Sequence, residues 1–213
     1  EHSLALSRLT LSNSILCRRI MSAEMFKKVV EAIQKRSPEL LVFDDVDPKD
    51  FEALRQGLRG PSSDWEGFSF RIHWFRGERV LKIVMPSKMH ECVGAWISAT
   101  ISRASRRGLI PDLWEDTMQV MNAPEYDNFV GDYAGYLKEA DVTFVPFVGP
   151  NWTEPAEFPS VVLESGWSES STRLLEDARL WQIGSQMAVR VVLLAKFYRE
   201  DQNNCARAST TTT

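Results

Sequence analysis

The pattern of apolar and polar positions predicts a β-hairpin followed by a long helix in the middle of the chain. Apolar residues alternate in Phe68 to Phe75 and again in Arg79 to Val84, on either side of a short turn that contains Gly77. From Lys88 to Arg107 the apolar residues recur at helical spacing, and Gly108 follows as a stop signal. This helix is expected to bury one apolar stripe, which comprises Met89, Val93, Trp96, Ile97, Ile101 and Ala104.

Two shorter helices are predicted ahead of the hairpin. The first covers Ser22 to Lys35, with apolar residues at helical spacing, and Pro38 ends it by its geometry. The second covers Pro48 to Leu58, with Asp47 as its cap and proline at its first position. Residues 22–67 are therefore predicted to be a helical extension.

A strand–helix–strand unit is predicted near the C-terminal end. The apolar run Val161 to Leu163 has the composition of a strand that is buried on both faces, and it ends at Glu164. A serine-rich turn then caps a helix that Gly184 closes. The valine-rich segment Val189 to Leu194 predicts a second buried strand behind that helix.

Acidic residues mark the ends of two of the predicted strands. A strand is predicted in Ala140 to Phe147, where Asp141 opens the segment, and another in Trp114 to Met121. If the strands of Asp141 and Glu164 are neighbours, the two carboxylates converge at one end of the sheet, as a divalent metal ion requires of hard oxygen ligands. The alternative is that each acid only marks the surface end of a strand.

Composition favours one α/β domain over residues 68–200. The chain has 213 residues, of which 44% are hydrophobic, so it can form one substantial core. The formal net charge of −4 gives no general attraction to polyanions, although basic pairs such as Arg106-Arg107 leave DNA open as a partner. Three widely spaced cysteines favour a reducing compartment, the cytoplasm or the nucleus.

The two ends of the chain are expected to lie outside this domain. Residues 1–21 lack any acid after Glu1, so they are expected to be a disordered extension or an organellar presequence. The threonine-rich residues 201–213 are expected to be a disordered tail. No apolar run reaches the roughly 20 residues of a membrane-spanning helix, so no membrane contact is expected.

Three segments resemble those of the Uma-two-type restriction endonucleases, in the PD-(D/E)XK nuclease superfamily. They are a hairpin that leads into Met85 to Ala95, the segment Ala140 to Pro146, and Pro159 to Glu164 with the serine-rich turn, helix and strand behind it. The resemblance implies a restriction endonuclease-like core in the order α-β-β-β-α-β. In this chain the core would comprise the long helix, strands that begin near Trp114, Asp141 and Pro159, and the last helix and strand.

The resemblance also implies a metal site. Asp141 and Glu164 would bind magnesium or manganese, with Glu91 as a third acid, and such an ion polarises a phosphodiester and activates a water. The superfamily pattern has a lysine two residues after the second acid, where this chain has Gly166. Arg173 and Arg179 in the helix that follows, and Lys82 on the hairpin, are the candidates for the role of the lysine, and Arg173 is the one assigned as a catalytic residue.

Two functions follow from the resemblance. The first is a metal-dependent nuclease that hydrolyses DNA phosphodiester bonds. The second is a nuclease-fold module with weakened or lost chemistry that binds nucleic acid or protein. Self-association as a homodimer is a further expectation, because the N-terminal amphipathic helices offer apolar faces.

Overall fold

The computed structural model describes residues 23–61, 65, 67–166, 170–198 and 208–212, with the side chains of Met89, His90 and residues 208–212 left aside. The N-terminal part begins with helix α1 over residues 23–35. Strand β1, helix α2 and the strands β2 and β3 follow, at Leu40–Phe43, Pro48–Arg59, Arg71–Phe75 and Val80–Val84. The three strands form an antiparallel sheet in the order β1-β3-β2, which we call the hairpin sheet.

A second, larger sheet is built from the rest of the chain. The remaining elements are α3 (Lys88–Arg106), α4 (Asp112–Thr117), β4 (Met118–Asn122), β5 (Glu125–Tyr126), a 3-10 turn (Gly131–Tyr133), β6 (Lys138–Glu139), β7 (Val142–Val148), β8 (Glu154–Pro155), β9 (Val161–Gly166), α5 (Ser171–Gly184), β10 (Val191–Phe197) and β11 (Ala208–Thr212). Strands β5 and β6 pair with each other as a separate two-stranded sheet. The strand order in the larger, central sheet is β11-β10-β9-β7-β4, with β8 paired to β7. Strands β9 and β10 are parallel, while the other neighbours are antiparallel. The chain is thus a mixed α/β protein.

Helix α5 is the crossover that joins the two parallel strands. Ser170 caps it, because its hydroxyl accepts a hydrogen bond from the backbone N–H of Arg173. Its apolar side packs on β9 and β10 through Leu174, Ala178 and Trp181, all of them buried. The opposite face of the sheet has a smaller core, where Val93 of α3 meets Val142 and Leu163.

The hairpin sheet and the N-terminal helices share one core. Residues of α1 and α2, including Ile33 and Leu58, are packed with Ile72 and Leu81 of the hairpin. Strand β1 also pairs with β3, residue Leu40 opposite Val84. Helices α1 and α2 and the hairpin sheet therefore form a single packed unit.

The segment 137–141 joins this unit to the central sheet. Trp74 of β2 and Leu137 exchange two backbone hydrogen bonds of 2.8 and 2.9 Å. Five residues later the same segment enters β7, which lies between β9 and β4 in the central sheet. One short stretch of backbone is thus held by both sheets, and it contains Lys138, Glu139 and Asp141.

Most of the predicted elements lie where the apolar pattern places them. The hairpin, the two N-terminal helices and the long helix agree with the structure within a few residues. Strand β9 runs two residues beyond Glu164, to Gly166. No helix in the described part of the chain is long and apolar enough to cross a bilayer.

Four expectations differ from the structure. Strand β1 has no counterpart in the prediction, and Trp114 lies in the short helix α4 instead of opening a strand. The predicted stripe of α3 is only partly buried: among its described side chains Val93 is buried, whereas Trp96 is 61% exposed. Ala208–Thr212, expected to be disordered, forms a strand because β-branched threonines suit a strand and the edge of β10 offers unpaired backbone groups. Residues 1–21 and the side chain of Met89 lie outside the described residues.

Candidate functional site

Asp141 and Glu164 occupy neighbouring positions on adjacent strands. Strands β7 and β9 are antiparallel, with Val142 opposite Leu163, so the next pair in this register is Asp141 and Glu164. Each residue is only 5% exposed. The structure therefore brings together the two acids that the sequence singles out, inside the protein and not at its surface.

Asp141 is held by Ser165 and Arg71. The backbone N–H and the hydroxyl of Ser165 both donate to Oδ2 of Asp141, each at 2.5 Å. Nη1 of Arg71, at the start of β2, lies in direct contact with Oδ1. The aspartate thus has a cation from the hairpin sheet and hydrogen bonds from the central sheet.

Glu164 is held by Trp181 and Lys138. The indole Nε1 of Trp181 donates to Oε1 of Glu164 at 2.7 Å, and Nζ of Lys138 lies 3.4 Å from the same oxygen. Lys138 is closer still to a second acid, Oδ2 of Asp177 in α5, at 2.6 Å. Burial raises the pKa of Glu164 above its ordinary value and Asp177 adds to the rise, while Lys138 and Trp181 oppose it.

A third buried acid, Glu139, belongs to the same cluster. Nη2 of Arg59 lies 3.1 Å from its Oε1, and the backbone N–H of Ile72 donates to that oxygen at 2.9 Å. The backbone N–H of Glu139 itself donates to Nδ1 of His73 at 3.4 Å, so this nitrogen carries no proton. Burial lowers the pKa of His73 well below its ordinary value, so the imidazole is neutral near pH 7.

Arg173 and Glu91, the other predicted site residues, do not touch the acid pair. Nη1 of Arg173 lies 3.1 Å from Glu176 and 3.9 Å from Glu78, and its side chain is 53% exposed. It lines a cavity of about 250 Å³ that also has Asp177 in its wall. Glu91 is exposed in the first turn of α3, where the negative charge of a carboxylate interacts favourably with the helix dipole.

The cations that do reach the acids, Arg71 and Lys138, are the functional residues that sequence reasoning missed. Arg71 precedes Asp141 by seventy positions, so spacing gives no signal for the pair. One sequence signal pointed to Lys138: three charged residues in the segment 138–141 directly precede a buried strand. Charges in such a place need partners from elsewhere in the fold.

Gly166 occupies the position at which the family resemblance would place a lysine, and it packs closely against α5. A Cβ atom built on Gly166 would lie 3.1 Å from Cδ1 of Leu174, in the first turns of α5. A side chain there would require Leu174 to shift by a few tenths of an ångström. The cations that contact the two acids come from β2 and from the segment before β7.

The residues as arranged do not fit a magnesium site. Three of the four oxygens of the acid pair are already in contact with donors or cations: both oxygens of Asp141, and Oε1 of Glu164. In the ranges that the structure describes, no three His, Cys, Asp or Glu side chains are grouped to hold a metal ion. An ion at the pair would have to displace Arg71 or Lys138.

Replacing Glu164 should reveal the cost of ionising it inside the protein. Because its folded pKa is raised, wild type loses stability as pH rises from about 4.5 through that pKa. Glu164→Gln keeps an acceptor for Trp181 and has no such cost. Urea unfolding between pH 4.5 and 7.5 should therefore show the variant gaining relative to wild type as pH rises. Glu176→Gln, an exposed acid on the same helix, is the matched control, and equal pH profiles of wild type and Glu164→Gln would contradict the prediction.

Adding a side chain at position 166 should destabilise the fold through Leu174. We expect Gly166→Ala to lower the free energy of unfolding by about 1–3 kcal/mol, as overpacking does, and Gly166→Lys to lower it further. In a Leu174→Ala background the cost of Gly166→Ala should largely disappear. Chemical denaturation of the four variants in this cycle measures the coupling. An undiminished cost in that background would rule out the contact with Leu174 as its cause.

The three segments that carry the family resemblance meet around this charge cluster. The hairpin contributes Arg71, the segment before β7 contributes Lys138 and Asp141, and β9 contributes Glu164. The resemblance thus coincides with a group of buried charges. Comparison with models of protein families and with curated proteins finds no match to this chain.

Proposed function

We propose that this chain is a nuclease-like scaffold that acts as a protein-interaction module without metal-dependent hydrolysis. The order α3, β4, β7, β9, α5, β10 accords with the α-β-β-β-α-β core that the family resemblance implies. The observation that carries the proposal is the pairing of Asp141 with Arg71 and of Glu164 with Lys138. A metal ion is not required to balance the negative charges of acids that are already paired with cations of the chain.

A protein partner suits the surface of the molecule better than nucleic acid does. Trp96 of α3 is exposed, and so are Leu109 and Leu113, at 71% and 66%. An open groove of about 360 Å³ lies beside them, with an apolar lining that includes Ile97, Ile101, Trp114 and Phe144. We call this region the α3–α4 surface. Exposed apolar patches rimmed by polar residues mark interaction sites, and the net charge of −4 offers little attraction to a polyanion.

The occupant that the charges favour is a second copy of this chain. The end of α3 carries three exposed arginines, whereas the adjacent α4 carries three exposed acids; they are Arg103, Arg106, Arg107, Asp112, Glu115 and Asp116. A two-fold interface uses the same patch on both subunits, so that patch must complement itself. An apolar centre with equal numbers of both charges at its rim meets this requirement.

A metal-dependent DNA nuclease is the second candidate. It is favoured by the adjacent positions of Asp141 and Glu164 and by the amine of Lys138, 3.4 Å from Glu164, which could take the role first assigned to Arg173. Magnesium or manganese would supply the Lewis acid for phosphodiester hydrolysis. This candidate requires the ion to displace the internal cations.

A metal titration separates the two candidates. We expect Mg²⁺ and Mn²⁺ to shift the unfolding temperature of wild type no more than that of Asp141→Asn, because the charges of the acid pair are already compensated by cations of the chain. A working site would add about 2.7 kcal/mol of stability at a hundredfold excess of ion over Kd, and only in wild type. Supercoiled DNA should stay intact with either ion. Nicking by wild type that is lost in Glu164→Gln would establish the nuclease and overturn the module.

The self-association is tested by exchanging charges on the α3–α4 surface. Sedimentation should show a dimer of wild type, a monomer of Arg103→Glu/Arg106→Glu, and a dimer again when Asp112→Lys/Glu115→Lys is added. Leu113→Asp should also give a monomer with an unchanged unfolding temperature. A wild type that is monomeric at all concentrations, or a charge exchange that fails to restore the dimer, would contradict this partner.

A further inference from the structure

Arg71 is the buried arginine of the charge cluster. It opens β2, and its side chain is 11% exposed, so the guanidinium is almost wholly removed from water. Its contact with Asp141 joins the hairpin sheet to the central sheet. A buried arginine of this kind persists only where acids compensate its charge.

The three acids expected to bind a metal all act on this one guanidinium. Asp141 touches it. Burial lowers the pKa of Arg71, and Glu164, Glu139 and Glu91 oppose that change through their charges. The acids predicted from the sequence to bind a metal ion therefore act on a cation that the chain itself supplies, Asp141 by direct contact and Glu164 and Glu91 through their charges.

The hydrogen bonding of Arg71 indicates that charge holds it in place. Its buried Nε has no hydrogen-bond partner among the described residues. An arginine built into a structural ion pair commonly uses its planar fork to make two parallel bonds. The interaction of Arg71 with the acids therefore depends more on charge than on paired hydrogen bonds, as the interaction of a metal ion with acids does.

The charge count supports the same view. Asp141 and Glu164 together carry two negative charges, which one divalent ion would neutralise. Arg71 and Lys138 carry two positive charges on the same two acids. Lys138 is also bound by Asp177 at 2.6 Å, so it can remain with that residue if Glu164 changes partner. Arg71 is therefore the group whose removal would free the acid pair.

We propose that Arg71 is a resident counter-ion that fills the place of a divalent metal ion between Asp141 and Glu164, and that its removal uncovers a site for Mn²⁺ or Mg²⁺. The inference rests on the proposed function, in which wild type does not use a metal at these acids. It adds the reason why wild type does not use a metal ion: the side chain of Arg71 occupies the site, and one substitution removes it.

The test is Mn²⁺ binding by Arg71→Met, measured by the loss of the electron paramagnetic resonance signal of free Mn²⁺ and by thermal unfolding. We expect one ion bound per chain and a rise of about 5 °C or more in Tm at a hundredfold excess over Kd. Both effects should be absent in wild type and in Arg71→Met/Asp141→Asn. Arg59→Met, which removes a cation from Glu139 but none from the acid pair, is the matched control and should gain no site.

Loss of Arg71 leaves a buried aspartate without its cation, so the variant is also refolded from urea with and without Mn²⁺. Recovery of the fold that depends on Mn²⁺ supports the proposal, and Arg71→Met/Asp141→Asn should fold without the ion. A folded Arg71→Met that binds no Mn²⁺, or one that stays unfolded at saturating Mn²⁺, overturns the inference and leaves the proposed function standing. Binding of Mn²⁺ by wild type that depends on Asp141 overturns the proposed function instead.

Discussion

The structure depends on compensating the charges that the segment 137–141 carries into the interior. Lys138, Glu139 and Asp141 are each at most 5% exposed. Every one of them meets an opposite charge from a different element: Asp177 of α5, Arg59 of α2 and Arg71 of β2. An uncompensated charge at any of these positions would cost several kcal/mol. The two sheets and α5 must therefore be in place together.

These ion pairs specify the arrangement more than they stabilise it. Burying a charged pair costs nearly as much in lost hydration as the attraction returns, so an apolar cluster of equal volume would serve stability as well. The apolar cores on either side of the cluster supply the favourable burial. The pairs instead fix which sheet meets which, because Asp141 contacts Arg71 only when β2 lies beside the start of β7.

The cluster also limits the chemistry available to the scaffold. Two adjacent carboxylates can serve a metal ion, but the same carboxylates can be satisfied by an arginine and a lysine. The choice depends on neighbours that belong to other parts of the chain, here β2 and the residues before β7. Packing restricts the same region, since a side chain at Gly166 would press against Leu174 of α5.

The sequence by itself determined the elements whose signal is local. Alternation defined the hairpin, helical spacing defined α3, and a buried run ending in an acid defined most of β9. It also selected Asp141 and Glu164, because acids next to buried strands stand out. Only the tertiary structure decided their partners, since Arg71 and Asp141 are seventy residues apart and nothing in their spacing connects them. It decided likewise that Trp96 stays exposed, because periodicity reveals the apolar side of a helix but not how much of that side the sheet covers.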